Sequence, residues 1–274
     1  MLRINTANVG SLLISSKIPS TDFAINPYVG CPHRCEYCYA EFMTRFSGHI
    51  GERWGEFIDI KLPRKPINRK KLAGKSVLIG TATDAYNRLE AKYRITRGVL
   101  EELLNTDASV TILTKSDLIL RDMDLLKRMS GVTAAFSIVS LDERFRSVME
   151  PGAPQFERRV GALRQLSENG IATAIFMAPI FPGITDYRNI ISHTRNFAAQ
   201  YWFDTLNLRG GYKPRVMRLI ERHYPALTPL YRQIYVQQDR RFWIDLKEEI
   251  DDYCHGLGLD FANFFRREQI KNIL

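Results

Sequence analysis

Three cysteines, Cys31, Cys35 and Cys38, fall within the stretch Asn26-Pro27-Tyr28-Val29-Gly30-Cys31-Pro32-His33-Arg34-Cys35-Glu36-Tyr37-Cys38-Tyr39. Thiolates this close in sequence can converge on one metal centre. The remaining cysteine, Cys254, lies far along the chain beside His255. Structural zinc takes four closed ligands, usually in two pairs, so a zinc site would borrow His33 or the distant Cys254-His255 pair. An iron–sulfur cube accepts cysteines at short spacing, and three thiolates on four irons leave one iron open for chemistry. The triplet therefore admits two classes: an iron–sulfur enzyme, or a non-enzymatic zinc-binding nucleic-acid module.

The elements that must position the triplet read as an α/β chain. Short apolar runs, Asp22–Asn26, Val77–Thr81, Val110–Thr114, Ala134–Ile138, Thr173–Met177 and Thr205–Leu208, suit parallel strands buried on both faces. Between them, Ile95, Val99 and Leu103, then Val160, Leu163 and Leu166, each define one apolar helix face. Gly131 and Gly170 are expected helix stops, and Asp186 the N-cap of a helix over Tyr187–Ala199. The segment from Gly48 to Gly74 reads as a long functional loop. Trp243, Leu246, Ile250 and Tyr253 mark a C-terminal helix. No linker, low-complexity segment or repeat divides the chain. One domain over residues 1–274 is expected, with a barrel core at about 22–213 and a helical region at about 214–274.

Cys-x3-Cys-x2-Cys with Tyr37 before the last cysteine resembles the radical S-adenosylmethionine (SAM) superfamily. The resemblance implies a partial, open (β/α)6 TIM-like barrel, a [4Fe-4S] cluster on Cys31, Cys35 and Cys38, and SAM bound through its amino and carboxylate groups to the open iron. It implies reductive cleavage of SAM to methionine and a 5'-deoxyadenosyl radical, and an electron donor of flavodoxin or ferredoxin type. In a parallel barrel the site lies where the strands end. Tyr37, Thr83, Asp84, Lys115 and Ser137 are accordingly the expected SAM contacts. Three of them have a second reading: an Asx turn for Asp84, a snorkelling surface lysine for Lys115, a satisfied core hydroxyl for Ser137.

Further segments, Asn26-Pro27-Tyr28, Thr83-Asp84-Ala85-Tyr86 with Glu90 and Thr96-Arg97, Thr114-Lys115-Ser116, Met149-Glu150-Pro151 and Ala178-Pro179-Ile180-Phe181-Pro182-Gly183, resemble the spore photoproduct lyase-related, DNA repair photolyase-like branch. That branch's lyases carry a hydrogen-donating cysteine near the segment where Thr81 and Ala82 stand here, a departure that sets thymine-dimer repair aside. Cys254, on an apolar helix face, reads as an inert buried thiol. Glu41 to His49 and Trp54 to Lys61 resemble the radical SAM mobile pair proteins, which implies a second radical SAM protein as partner.

The chain carries a formal net charge of +9, is 45% hydrophobic and has a pI near 9.4. Lys61 to Lys75 holds seven cations and no acid, and Arg209, Lys213, Arg215, Arg218 and Arg222 form a second set. Such surface attracts phosphate or is simply solvated. A nucleic-acid or nucleotide substrate is the first expectation, a small molecule or peptide the second. Without an apolar run of about 18 residues or a signal-peptide h-region, a cytoplasmic protein free of the membrane is expected. Clustered cysteines exclude a disulfide framework.

Overall fold

The computed structural model describes residues 2–265; Met1 and residues 266–274, the end of the expected helical region, lie outside the described residues. The strands are β1 Arg3–Val9, β2 Leu13–Ser15, β3 Phe23–Ile25, β4 Tyr28–Val29, β5 Phe57–Pro63, β6 Ser76–Ile79, β7 Ser109–Thr114, β8 Val132–Ser137, β9 Ala172–Ile180, β10 Gln200–Thr205 and β11 Phe261–Asn263. The helices are α1 Glu90–Tyr93, α2 Ile95–Leu103, α3 Met123–Leu126, α4 Glu143–Met149, α5 Phe156–Glu168, α6 Tyr187–Thr194, α7 Tyr212–His223, α8 Thr228–Tyr235 and α9 Arg241–Gly256.

The main sheet runs β11-β10-β9-β8-β7-β6-β3-β2. From β3 through β11 every neighbouring pair is parallel, and β2 joins β3 antiparallel. The run β3, β6, β7, β8, β9, β10 with its helical crossovers is the expected partial (β/α)6 barrel; β11 adds a further parallel strand, and the sheet ends at β2 and β11 without closing. Val110, Ile112, Ala134, Phe136, Ile175 and Met177 are buried at the sheet's centre. Leu100 and Leu103 of α2 and Leu163 and Leu166 of α5 supply the apolar stripes that cover it. Val216, Ile220, Tyr231, Trp243, Ile250 and Cys254, from α7 to α9, join the same hydrophobic cluster. Among the described residues no helix is long and apolar enough to cross a membrane.

Three expectations need correction. The strand foreseen at Thr205–Leu208 is β10, five residues earlier: Tyr201, Phe203 and Thr205 alternate into the core, while Leu206 and Leu208, also buried, follow the strand's end. The segment foreseen as a long loop contains β5, where Phe57, Ile58 and Ile60 are fully buried. β5 pairs parallel with β1 and antiparallel with β4, making a second, three-stranded sheet. The helix capped by Asp186, whose side chain accepts from Asn189 N at 2.9 Å, stops at Thr194 instead of Ala199.

His49 fastens this small sheet. Its Nε2 lies 2.8 Å from Asp59 Oδ2 and its Nδ1 3.0 Å from Glu52 Oε2, while its ring stacks on Phe57 at 3.6 Å between centroids. Burial disfavours the charged ring, but Asp59 and Glu52 outweigh it and raise the pKa above the ordinary 6.5. A raised histidine contributes stability that is complete below the unfolded value and lost as pH climbs through the folded one. The native chain should therefore melt above His49→Gln below pH 6.5, and the margin should shrink as pH rises further. A margin constant from about pH 5 to about pH 9 would contradict a charged His49.

Candidate cofactor site at the cysteine loop

The loop that carries the cysteines leaves β3, passes through β4 and is pressed onto β5. Gly30 adopts φ +82°, and a Cβ there would lie 2.2 Å from Phe57 O. Only glycine allows that approach. Turns then bring the cysteines round one another: Arg34 N bonds Cys31 O at 3.2 Å and Cys38 N bonds Cys35 O at 3.1 Å. From the far side, the segment after α4 clamps the loop, with Glu36 N donating to Met149 O and Gly152 N to His33 O, both at 2.9 Å. Gly152 sits so close that a Cβ would meet Pro32 O at 2.2 Å.

Cys31 packs with Ala40, Trp54 and Phe57, with Cys38 against the same group, whereas Cys35 packs on the main core. Burial pushes the Cys31 and Cys38 thiols up to about 12 and raises Cys35 as well. Each also feels a neighbour, Cys31 that of Cys38, Cys35 that of Cys31, and Cys38 that of Cys35; the Lys115 ammonium opposes the rise at Cys35 and Cys38. Three mutually interacting, shielded thiols beside a cation suit an iron–sulfur cluster. They suit a closed zinc site poorly. His33 has Nδ1 3.1 Å from Gly152 O and Nε2 3.0 Å from Asp84 Oδ2, and Cys254 is buried on α9. Among the described residues no three His, Cys, Asp or Glu side chains are grouped to hold a single metal ion.

Tyr37, Lys115 and Ser137 come together around Glu150. The Tyr37 hydroxyl donates to Glu150 Oε1. Arg159 Nη2 donates to Glu150 Oε2 at 2.6 Å, and its other donors reach Ser137 O and Pro154 O. Lys115 Nζ donates to Ser137 Oγ at 2.5 Å, stands 3.6 Å from Glu150 Oε1 and lies 5.9 Å from the Tyr37 ring centroid. Burial would raise the Glu150 carboxyl, but Arg159 and Lys115 hold it at about 2. Phe181 packs edge-on to both Tyr37 and Phe145, closing an apolar wall on this polar group.

Thr83 and Asp84 are occupied differently from expectation. Thr83 Oγ1 donates to Gly30 O at 2.6 Å. Asp84 Oδ1 accepts from Tyr86 N and Thr114 Oγ1, both at 2.8 Å, and Oδ2 accepts from Lys115 N at 2.7 Å. With His33 also against Oδ2, both oxygens are filled, and the Asx-turn alternative describes Asp84. Burial works to raise its carboxyl, yet His33 and these donors lower it to about 2. The pair ties the ends of β6 and β7 to the cysteine loop.

The residues that sequence reasoning passed over are the ones that fix the others. Glu150 is visible only inside a family segment, and Arg159, one of several cations on α5, carries no periodic signal. Arg215 of α7 donates to Glu36 O at 3.0 Å and Glu41 Oε2 at 2.6 Å, and lies 2.8 Å from Glu36 Oε2, so the second basic set adjoins the loop. The first set does not: it leads into the start of β6 at Ser76, the end of the sheet opposite the cysteines. Arg64, Lys65, Lys70 and Lys71 are exposed there.

Removing one member of a buried ion pair strands the other's charge. Glu150→Gln is therefore expected to cost about 3 kcal/mol or more of unfolding free energy, read by urea titration. A loss under about 1 kcal/mol would show that Arg159 finds another partner or water.

An uncharacterized protein of Methanocaldococcus jannaschii is 36% identical over 77% of this chain and 79% of its own length. The fold is similar to that of spore photoproduct lyase complexed with dinucleoside spore photoproduct, at 19% identity and a TM-score of 0.59, covering 81% of this chain and 66% of the lyase. It is also similar to Streptococcus suis SuiB bound to the precursor peptide SuiA, at 18% identity and a TM-score of 0.57, over 88% of this chain and 48% of that one. Residues 25–191 match the Radical SAM superfamily, and the chain belongs to that superfamily of enzymes, which work with a [4Fe-4S] cluster and SAM.

Proposed function

We propose that Cys31, Cys35 and Cys38 hold the cluster and that Lys115, Ser137 and Tyr37 frame SAM beside it, for a radical reaction on a nucleic acid or nucleotide. The observation that carries the assignment is the single network joining the cysteine loop to the strand ends: Tyr37, two residues from Cys35, shares Glu150 with Lys115 and Arg159. When bound, the cluster and SAM supply one-electron cleavage to methionine and a 5'-deoxyadenosyl radical.

The chain's part is to bind, orient and shield. Of the two cations at Glu150, the buried Arg159 is spent on that carboxylate and on backbone carbonyls. Lys115, with a hydrogen bond to Ser137 Oγ, keeps donors for a ligand carboxylate. The Ser137 hydroxyl accepts from Lys115 and retains its own proton to donate. Tyr37 contributes its ring, since its hydroxyl is held by Glu150. Thr83 and Asp84 act one step back, by fixing the loop.

A nucleotide substrate is supported by the likeness to a lyase solved with a dinucleoside and by the formal net charge of +9. The Lys61–Lys75 cations are too far round the fold to serve this site. A peptide is the second reading, favoured by the likeness to SuiB bound to its precursor peptide. A second radical SAM protein and a cytoplasmic setting complete the proposal.

Each of Cys31→Ala, Cys35→Ala and Cys38→Ala should abolish 5'-deoxyadenosine formation while circular dichroism stays native; retained cleavage in any one would remove that cysteine from the ligand set. Lys115→Met should raise the KM for SAM by about tenfold or more, the worth of a charge-assisted hydrogen bond; an unchanged KM would free Lys115 of that role. Short single-stranded oligonucleotides should stimulate cleavage in low salt and lose that effect as salt rises. Stimulation by peptides with indifference to oligonucleotides would favour the second reading.

A further inference from the structure

Directly after Cys38 the chain forms a 3-10 turn over Tyr39–Phe46 whose aromatic residues face solvent. Tyr39 is 56% exposed, Phe42 50%, Phe46 76% and, just beyond the turn, Ile50 80%. The rings make a ladder, Tyr39 stacked on Phe42 at 6.5 Å and Phe42 edge-on to Phe46 at 6.4 Å. A contiguous apolar surface of this kind on a folded chain marks an interaction site. The ladder is also held in place. The Tyr39 hydroxyl donates to Thr81 O at the end of β6, and Glu41, between Tyr39 and Phe42, is gripped by Arg215 of α7.

The charges around the ladder have one sign to spare. Its own acids are neutralised, Glu36 by Arg53 and Arg215 and Glu41 by Arg215. Arg45, Arg218 and Arg222 are exposed and make no ion pair among the described residues. An apolar centre with a cationic rim fits an acidic protein surface.

We propose that this ladder is the docking surface for an acidic one-electron carrier protein, of flavin or iron–sulfur type, that reduces the cluster. The proposal rests on the reading of Cys31, Cys35 and Cys38 as cluster ligands. The ladder begins at the residue after Cys38, so a carrier seated on it stands next to the metal centre with no helix or strand between. The step moves one electron and no atoms: the reduced carrier is oxidised by one electron and the cluster is reduced by one. Redox encounters of this kind use small, transient interfaces, which a few exposed rings and three spare arginines suffice to form. A polynucleotide stacking its bases on the same rings is the rival occupant, and it would be needed whatever the reductant.

The test uses the double variant Phe46→Glu and Ile50→Glu, whose side chains are too exposed to support the core. 5'-Deoxyadenosine formation is measured with dithionite, which needs no docking, and with a reduced acidic flavodoxin; the cluster-free chain is titrated with the same flavodoxin by calorimetry. The variant should match wild type within about twofold with dithionite. With flavodoxin it should lose about tenfold or more in rate and in affinity, a change equal to one or two interface contacts. Wild-type affinity should itself fall as salt rises. An equal loss with both reductants would assign the ladder to substrate or to folding and overturn the proposal, and so would an undiminished flavodoxin rate or affinity. If wild type cleaves no SAM even with dithionite, the reading of the cysteines fails and the docking surface fails with it.

Discussion

Glu150 is a carboxylate with almost no access to water, and the site depends on how it is satisfied. Desolvating a charge costs several kcal/mol unless geometry and partners compensate. Here Arg159 supplies the opposite charge, and Tyr37 donates a hydrogen bond. Those two residues come from different parts of the chain: Arg159 from the helix behind β8, Tyr37 from the cysteine loop. The need to satisfy one buried anion therefore fixes the loop against the ends of the strands. Lys115 stands 3.6 Å from the same carboxylate, so a cation with ligand-binding capacity is held beside the thiols. Met149 O and Gly152 N, on either side of Glu150, bond the loop backbone directly.

Charge elsewhere on the molecule is arranged by face. The exposed cations of the Lys61–Lys75 stretch lie at the start of β6, away from the cysteines, and net charge alone does not reveal this. The cations of α7 lie at the opposite end, where Arg215 has become structural by gripping Glu36 and Glu41. Arg218 and Arg222 are left outward beside an apolar turn. A basic composition thus separates into a remote surface, a buried brace and a small rim next to the loop, and only the last two can influence chemistry there.

Much of this was legible in the sequence because parallel strands buried on both faces leave short, nearly unbroken apolar runs. Those runs located β3, β6, β7, β8 and β9. The run at β10 was misplaced because Leu206 and Leu208 are buried without belonging to the strand, and the alternation of Tyr201, Phe203 and Thr205 is the truer signal. β5 was hidden between proline-rich and lysine-rich flanks, although Phe57-Ile58-Asp59-Ile60 carries a strand's pattern. Lys115 and Ser137, singled out by their positions at strand ends, lie together with Tyr37. It could not say that Asp84 is saturated by Tyr86, Thr114, Lys115 and His33, since those partners converge only in three dimensions. Arg159 was illegible for the same reason: an arginine on an amphipathic helix looks solvated until its carboxylate is found.

The central claim is that three thiols hold a four-iron cluster whose remaining iron SAM occupies. The most direct measurement is electron paramagnetic resonance of the anaerobically reconstituted, dithionite-reduced protein, with and without SAM, alongside iron and sulfide analysis. The account predicts a brown protein with about four irons per chain and a reduced-cluster signal that changes when SAM is added. A signal indifferent to SAM, or a colourless protein that retains stoichiometric zinc and no iron, would contradict it.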